Sequence, residues 1–333
     1  MRVTFFHRRP QGANFSLERL FADVRQALPE SIDAEIAVSR FKSRGLWPRL
    51  YNIIEATFRQ GEINHITGDV HFLAILLRRN RTLLTIPDLV SVHRLSGLRR
   101  KIILFFWYWL PIRRSALVTV ISEATKQDLL RYIKVDPRKV RVVHCCVSSA
   151  LQPVPKVFNS IKPVILQIGS RQNKNVERVA EALQGIPCHL RIIGRLSDRQ
   201  TDLLQRFEIE YSSVLNISDE EVVEEYHQCD MLVFASTFEG FGLPILEAQA
   251  TGRAVVTSNI MSMPEVAGDA ACLVDPFDVA SIRSGMQKII NDTLYRDTLV
   301  KYGFDNVSRF RPEIIAVQYV EIYRELLSRC EHS

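Results

Sequence analysis

Short β-branched runs alternate with amphipathic stretches along the whole 333-residue chain. This alternation is typical of βα units, whose parallel strands form a sheet covered by helices on both faces. Such runs occur in both halves of the sequence, so we predict two doubly wound α/β domains. The predicted strands are residues 3–6, 34–38, 63–67, 82–86, 116–121 and 140–144, followed by 164–169, 189–194, 213–217, 231–236, 254–258 and 271–274.

A proline-containing segment separates the two sets of strands. Residues 151–163 contain three prolines and little hydrophobic periodicity, which indicates an extended linker. We predict an N-terminal domain over residues 1–152 and a C-terminal domain over residues 153–310. Residues 311–333 predict a last helix with a wide apolar surface, which we expect to pack back toward the N-terminal domain. Two such sheets facing each other leave an interdomain cleft, where ligands bind at the carboxyl ends of the strands.

The charge differs strongly between the two halves. Residues 1–150 carry 25 Lys and Arg against 12 Asp and Glu, a net charge of +13, whereas residues 151–333 carry a net charge of −7. A positive half indicates an anionic partner, such as nucleic acid, phospholipid headgroups or a phosphorylated substrate. No helix-turn-helix, zinc-finger or RNP pattern accompanies the charge, so we predict no nucleic-acid partner.

Composition excludes several other classes of protein. With 47% hydrophobic and 24% charged residues, the chain has the composition of a globular protein. Six cysteines without a C-x-x-C pair favour free thiols in a reducing compartment. The first residues are basic before any apolar run forms, so we expect no secretion signal and a cytoplasmic protein. The longest apolar run, residues 102–112, is shorter than the roughly 20 residues of a membrane span.

A turn with two glycines and two glutamates follows the predicted strand 231–236. Gly240 and Gly242 let the backbone approach a ligand closely, and a helix with Pro244 at its first position directs free N–H groups toward it. Glu239 and Glu247 lie on either side of the turn. One ligand could bind its phosphate to the amides and its hydroxyls to the two carboxylates. A nucleoside diphosphate sugar has both kinds of group in this arrangement. The alternative for this segment alone is turn geometry with compensation of helix-terminal charge.

A second loop follows the first strand of the C-terminal half. The strand ends at Gly169, and Arg171 and Lys174 come next, before an amphipathic helix. Because both loops leave the carboxyl ends of strands, we expect them to converge on one site. Both cations are candidate pyrophosphate ligands, and solvated loop charge is the alternative.

The stretch from Gly169 to about Pro276 resembles the donor domain of the retaining glycosyltransferases of family 4. The matching pieces are IGSRQNKNVERVAEAL, YHQCDMLVFASTFEGFGLPILEA and TSNIMSMPEVAGDAACLVDP. Gly12 in the opening loop, HITGDVHFLA and VISEATKQDL are more loosely similar to the acceptor domain. The resemblance implies the GT-B fold of two facing Rossmann-like domains. It also implies that a sugar moves, with retention, from a nucleoside diphosphate sugar to an acceptor hydroxyl.

The resemblance implies roles for individual residues. Glu239 contacts the donor sugar hydroxyls, Glu247 contacts the nucleotide ribose, and Lys174 with a nearby arginine neutralises the diphosphate. Preorganised cations and helix amides stabilise such a leaving group, so we expect no metal and no cofactor besides the donor substrate. The expected donor-binding residues are Gly240, Phe241, Gly242, Leu243, Glu247, Gly169 and Gly12.

Two positions depart from the family pattern. Asn173 stands where a basic residue usually precedes the lysine, so the role of Arg171 as second clamp is open. Many relatives have a histidine after the acceptor-domain strand, where this chain has Pro87. We therefore take His71 and Asp88 as catalytic candidates, with packing at a helix start as the alternative for His71.

Residues 99–114 combine cations with amphipathic aromatic side chains. A basic start from Arg99 and a basic end at Arg114 enclose the apolar run with its two tryptophans. Such a segment fits a lipid headgroup region, and the alternative is a buried helix with solvated ends. We expect a peripheral enzyme on the inner face of the membrane, acting on a lipid-linked or polysaccharide acceptor. The remaining alternatives are a nucleotide-sugar 2-epimerase and a catalytically silent nucleotide-sugar-binding protein.

Overall fold

The structure is a computed structural model that describes residues 1–9 and 16–331. The expected donor-binding residue Gly12 lies outside the described residues. The chain forms two compact units. Unit 1 comprises Met1–Cys146 and Pro312–Ser333, and unit 2 comprises Val147–Arg311.

In the described part of unit 1, six parallel strands form one sheet in the order β2-β1-β3-β4-β5-β6. The strand order reverses between β1 and β3, which makes the sheet doubly wound. The strands are β1 (Arg2–His7), β2 (Asp33–Val38), β3 (Ile63–Ile66), β4 (Thr82–Ile86), β5 (Leu117–Val120) and β6 (Val140–Val142).

Unit 2 holds a second parallel sheet in the order β12-β11-β10-β7-β8-β9. Counted within the unit, this is the strand order 3-2-1-4-5-6 of dinucleotide-binding sheets. The order reverses between the neighbours β7 and β10, so the loops after these two strands leave a crevice between them. The strands are β7 (Val164–Ile168), β8 (His189–Ile193), β9 (Tyr211–Val214), β10 (Met231–Phe234), β11 (Ala254–Ser258) and β12 (Cys272–Val274).

Helices connect the strands of both sheets. In unit 1 they are α1 (Ser16–Gln26), α2 (Leu46–Thr57), α3 (Val90–His93), α4 (Gly97–Ile103), α5 (Leu110–Arg113), α6 (Glu123–Tyr132) and α14 (Pro312–Glu331). A π-helical turn over Leu104–Trp109 joins α4 to α5. In unit 2 they are α7 (Val176–Leu183), α8 (Asp198–Arg206), α9 (Asp219–Gln228), α10 (Leu243–Ala250), α11 (Met263–Ala267), α12 (Val279–Asn291) and α13 (Thr293–Val307).

The doubly wound α/β prediction is confirmed, because each predicted strand has a counterpart. One prediction was out of register: the strand expected at residues 213–217 is β9, which ends at Val214. Asn216 has a φ of +54°, a left-handed conformation that cannot continue an extended strand. Ile217, the β-branched residue at the predicted end, therefore lies beyond the strand.

The core of each unit lies on both faces of its sheet. Strands β3, β4, β5 and β10 are buried along their whole length, as expected for parallel strands covered by helices. The edge strand β2 is largely exposed. None of the helices within residues 16–331 is long and apolar enough to span a bilayer.

The last helix, α14, belongs to unit 1 and spans Pro312–Glu331, within the predicted range of residues 311–333. Its Tyr319 and Tyr323 are fully buried against the sheet. The hydroxyl of Tyr323 lies 2.7 Å from Nδ1 of His65, whose Nε2 lies 2.7 Å from the Thr85 hydroxyl. Both ring nitrogens of His65 therefore have hydrogen-bond partners in the core.

Candidate functional site

The loops after β7 and β10 meet at the strand-order reversal of unit 2. In doubly wound sheets this crevice, at the carboxyl ends of the strands, is where ligands bind. Both predicted motifs lie there, since the loop from Gly169 follows β7 and the turn from Glu239 follows β10. The backbone N–H of Thr237 donates to the carbonyl of Asn173 at 2.8 Å, which joins the two loops directly.

Backbone conformation places Lys174 at the centre of this crevice. Gly169 has a φ of +84°, and a Cβ there would lie 3.0 Å from Cε of Lys174. Asn175 is left-handed, with a φ of +61°, and its buried Nδ2 donates to the carbonyls of Ala235 and Pro276 at 2.9 and 2.7 Å. The lysine is thus held between a glycine that leaves it room and an asparagine that anchors the following residue.

Lys174 and Glu239 form an ion pair across the two loops. The Nζ–Oε1 distance is 2.7 Å, and the two side chains are 18% and 16% exposed. Asn173 donates through Nδ2 to the same carboxylate oxygen at 3.2 Å, and Nζ of Lys174 also lies 4.4 Å from the centroid of the Phe234 ring. Partial burial limits solvent screening, so the pair presents a cation and a carboxylate in fixed positions.

The glycine turn leads directly into α10. Gly242 has a φ of +112°, a conformation that residues with a side chain rarely adopt. The helix begins at Leu243, so Pro244 occupies the second helical position and the prediction of the first position was wrong. Proline is tolerated there because the N–H groups of the first turn have no partner within the helix. Gly252 lies just past the helix end with a φ of +75°, as predicted.

Hydrogen bonds and core packing hold the turn in place from the side that faces the core. Ser262 donates through its hydroxyl to the carbonyls of Glu239 and Phe241 at 3.0 and 2.7 Å. The Phe241 ring is buried and packs edge-on against Phe310. Phe241 was expected among the donor-binding residues, and its side chain lies in the core beneath the turn.

Glu247 is held by a residue that motif reasoning did not identify. The hydroxyl of Tyr226, on α9, donates to Oε2 of Glu247 at 2.6 Å. Tyr226 is fully buried, and burial followed by the nearby carboxylate raises its pKa well above the usual value. The tyrosine therefore remains a hydrogen-bond donor that orients the carboxylate.

Arg171 lies at the start of the same loop but is exposed. Within residues 1–9 and 16–331 its guanidinium has no hydrogen bond or ion pair. Contacts within the described residues therefore fix the position of Lys174, but they do not fix that of the Arg171 guanidinium.

The catalytic candidates of unit 1 lie at the carboxyl ends of β3 and β4. His71 is 2% exposed and begins a short 3₁₀ helix. Its Nδ1 lies 3.0 Å from the Trp107 carbonyl, to which it donates, and its Nε2 is buried without a hydrogen-bond partner among the described residues. Burial lowers the pKa of His71, so the ring is neutral and Nε2 carries a lone pair.

Carboxylates surround this histidine. Asp88 accepts a hydrogen bond from the Val90 N–H at 2.9 Å, and Asp69 accepts one from Nε1 of Trp107 at 2.7 Å. Both carboxylates counteract the effect of burial on the pKa of His71. His93 lies 2.6 Å from the Asp128 carboxylate and forms a separate pair.

Sequence reasoning missed several polar residues that build the site. Asn173, Asn175, Tyr226 and Ser262 act through side-chain hydrogen bonds that no motif predicts. Only Asn175 carried a signal, because asparagine is the side chain that most readily enters the left-handed conformation at a loop-to-helix junction. Among the described residues, no group of three or more His, Cys, Asp or Glu is arranged to hold a metal ion.

Two sequence profiles match adjoining parts of the chain. The profile described as Glycosyl transferases group 1 matches residues 151–305, and that described as Glycosyltransferase Family 4 matches residues 2–151. An O-antigen chain mannosyltransferase B from Escherichia coli is 26% identical over 64% of this chain. The match spans 61% of that relative, which is less than two thirds of its length.

Solved structures share the fold across almost the whole chain. A sucrose-phosphate synthase from Thermosynechococcus elongatus has a TM-score of 0.78 at 17% identity, covering 98% of this chain and 99% of its own. The Anabaena protein Alr3699/HepE, solved with UDP and glucose, has a TM-score of 0.78 at 14% identity, covering 98% and 100%. At such identities the likeness shows the fold. Together with the two adjoining profile matches over residues 2–305, it shows that the chain belongs to the family 4 glycosyltransferases and has the GT-B fold.

Proposed function

We propose that the protein is a retaining, metal-independent glycosyltransferase that moves a sugar from a nucleoside diphosphate sugar to an acceptor hydroxyl. The observation that carries this proposal is the Lys174–Glu239 pair at the strand-order reversal of unit 2. A carboxylate suits sugar hydroxyls, and a lysine suits a diphosphate, so the pair meets both parts of such a donor.

In this reaction the bond between the anomeric carbon and the phosphate oxygen breaks, and the diphosphate leaves with the electron pair. The acceptor oxygen bonds to the anomeric carbon, and its proton passes to the leaving diphosphate. Charge therefore accumulates on the leaving group. Lys174 and the N-terminal amides of α10 stabilise that charge, because they are already in place before it develops. Glu239 orients the sugar, and Glu247, held by Tyr226, accepts hydrogen bonds from the ribose hydroxyls. Arg171 reaches the diphosphate from the exposed start of its loop.

The relatives narrow the choice of substrates to test. An Escherichia coli relative is named an O-antigen chain mannosyltransferase, and a structural neighbour was solved with UDP and glucose. We therefore propose a nucleoside diphosphate hexose as donor, with mannose and glucose donors tested first. The acceptor is a carbohydrate chain or a lipid-linked saccharide.

Thermal unfolding with a panel of nucleoside diphosphates and their sugars tests the donor site. A ligand at 100 times its dissociation constant adds about 2.7 kcal/mol to the free energy of unfolding. We expect one base to stabilise the wild type, and Lys174→Ala and Glu247→Ala to abolish the effect. Arg199→Ala, which removes an exposed cation of the same unit on α8, is the control and keeps it.

The outcomes separate the proposal from its rival. Stabilisation by a donor, followed by release of its sugar to an acceptor, supports the transferase. Binding with neither transfer nor donor hydrolysis would instead indicate a nucleotide-sugar-binding protein. Retention is read from the anomeric configuration of the product by NMR, and metal independence from unchanged turnover in EDTA.

We further propose that unit 1 rests on an anionic membrane through residues 99–114. The segment is not fully buried: Ile102, Phe105 and Phe106 are 47%, 45% and 54% exposed. Its second half buries Tyr108, Pro111 and Ile112, and Ile103 and Leu104 are partly buried against the same core. The alternative of a buried helix with solvated ends therefore does not describe Ile102, Phe105 and Phe106.

A second exposed apolar face lies beside this segment. Helix α2 exposes Leu46, Trp47, Ile54 and the adjoining Phe58 by 68%, 79%, 54% and 85%. The guanidinium of Arg49, also on α2, lies 4.8 Å from the centroid of the Trp107 ring, so α2 and the segment are neighbours. Isolated exposed apolar residues are common, but a contiguous apolar face rimmed by cations is typical of a surface that contacts lipid.

Flotation on vesicles tests this surface. We expect Phe105→Ser with Phe106→Ser to reduce binding to vesicles that contain phosphatidylglycerol, and added salt to weaken the wild type. Leu294→Ser is the control, because Leu294 is 79% exposed but belongs to unit 2. Equal flotation of all three proteins, or binding to neutral vesicles alone, would contradict the proposal.

A further inference from the structure

Three basic loops lie at one edge of the unit 1 sheet. Arg79–Arg81 precedes β4, Arg113 and Arg114 precede β5, and Pro137–Lys139 precedes β6. These strands are parallel neighbours, with Leu83 level with Leu117 and Val118 level with Val140. Their preceding loops therefore meet at the amino-terminal edge of the sheet, opposite the carboxyl ends that carry His71 and Asp88.

A groove of about 730 Å³ opens at this edge. Residues of all three loops and of α14 line it, and five of them are cations: Arg79, Arg138, Lys139, Arg141 and Arg329. The lining carboxylate is Asp136, which is already paired with Arg138 at 2.9 Å. The volume is within the range of small-molecule sites.

The positive charge of the groove is incompletely neutralised. Glu325 is shared between Arg141, at 3.6 Å, and Arg329. Arg79 has no ion-pair partner among the residues that the structure describes. Lys139 donates through Nζ to the Ile112 carbonyl at 2.6 Å, an uncharged acceptor.

The pKa of Lys139 reflects the same concentration of positive charge. Burial, followed by the nearby Arg79 and Arg113, lowers the pKa of Lys139 from 10.5 to about 8. Cations that outnumber the nearby carboxylates repel one another, which an anion in the groove would relieve.

We propose that this groove is a binding site for a phosphate-bearing anion, separate from the donor site of unit 2. Guanidinium groups from different loops match the several oxygens of a phosphate or pyrophosphate, which accept charge-assisted hydrogen bonds. The group is either a soluble polyphosphate or the headgroup of an anionic phospholipid, and both present the same phosphate oxygens.

Titration calorimetry with inorganic pyrophosphate tests the soluble source. The titration is made in Lys174→Ala, which removes the proposed donor-site cation from the measurement. We expect Arg79→Ala with Arg138→Ala to weaken pyrophosphate binding by about tenfold or more, since the variant loses two guanidinium groups that form charge-assisted hydrogen bonds to the anion. Arg79 and Arg138 are both exposed, so their substitution retains the fold.

A matched control lies on the helix that contributes Arg329. Arg324 is exposed on α14 and does not line the groove, so Arg324→Ala removes one cation outside the groove and is expected to keep full binding. The second arm measures flotation of the same variants with phosphatidic acid vesicles. Loss in the calorimetric arm identifies a soluble ligand, and loss in the vesicle arm alone identifies a headgroup. If the groove variant and Arg324→Ala behave alike in both arms, the proposal is wrong.

Discussion

At the scale of single residues, buried polar groups decide where the functional carboxylates and the lysine stand. Asn175 fixes the backbone beside Lys174, and Tyr226 fixes Glu247. Neither needs to touch a ligand. Such groups must be satisfied by hydrogen bonds when buried, so their partners hold one geometry.

Tyr226→Phe removes the hydroxyl and keeps the ring in the core. We expect donor affinity to fall several-fold, with kcat nearly unchanged, because Glu247 loses its orientation while the reacting groups stay in place. The donor KM and the dissociation constant of the nucleoside diphosphate measure this effect. Tyr302→Phe, at a tyrosine that is 46% exposed on α13, is the control. A loss of kcat with unchanged KM would contradict a positioning role.

At the scale of elements, the junction between β10 and α10 determines the site. The chain must leave a buried strand, turn sharply and start a helix within a few residues, and Gly242 makes this possible at a φ of +112°. The motif was readable because glycine, proline and glutamate each have a positional preference at such a junction. The exact helix start was not readable, since Pro244 is compatible with the first or second position.

Gly242→Ala tests this junction. We expect a loss of about 1–3 kcal/mol in the free energy of unfolding, together with weaker donor binding, because an alanine is strained in this conformation. A Cβ would also lie 3.1 Å from Cδ1 of Ile245. Gly185→Ala is the control: its φ is +73°, within the usual left-handed range, and no atom lies within 4 Å of the added Cβ. Calorimetric melting that shifts equally in both variants would refute the argument.

At the scale of the whole molecule, the two sheets differ in charge and in titration behaviour. His7, His65 and His71 are all buried in unit 1, and burial lowers the pKa of each. Each histidine therefore stays neutral in the folded protein at pH values where the unfolded chain takes up a proton. Stability is full above pH 6.5 and falls as the pH decreases, since the unfolded state then binds more protons.

His7 allows this expectation to be tested separately. Burial, assisted by Arg25, lowers its pKa from 6.5 to about 4, so its contribution is lost between these two pH values. At about 1.4 kcal/mol per pKa unit the loss amounts to about 3 kcal/mol. The three tryptophans, Trp47, Trp107 and Trp109, all belong to unit 1, so their fluorescence follows its unfolding in urea.

The comparison is between the wild type and His7→Gln at pH 4 to 8. Glutamine keeps an acceptor for Nη1 of Arg25, which lies 3.1 Å from Nε2 of His7, and does not titrate. We expect the variant to lose less stability than the wild type as the pH decreases. Parallel curves for the two proteins would show that His7 does not contribute.

The sequence by itself determined the alternation of strands and helices, the turn from Glu239 to Glu247 and the position of Lys174, because glycine and hydrophobic patterns act over a few neighbouring residues. Only the tertiary structure decided that β7 and β10 are neighbours, that Tyr226 holds Glu247 and that three basic loops share one edge. These contacts join residues far apart in the chain. These long-range contacts depend on strand order and helix packing, which local sequence patterns do not determine.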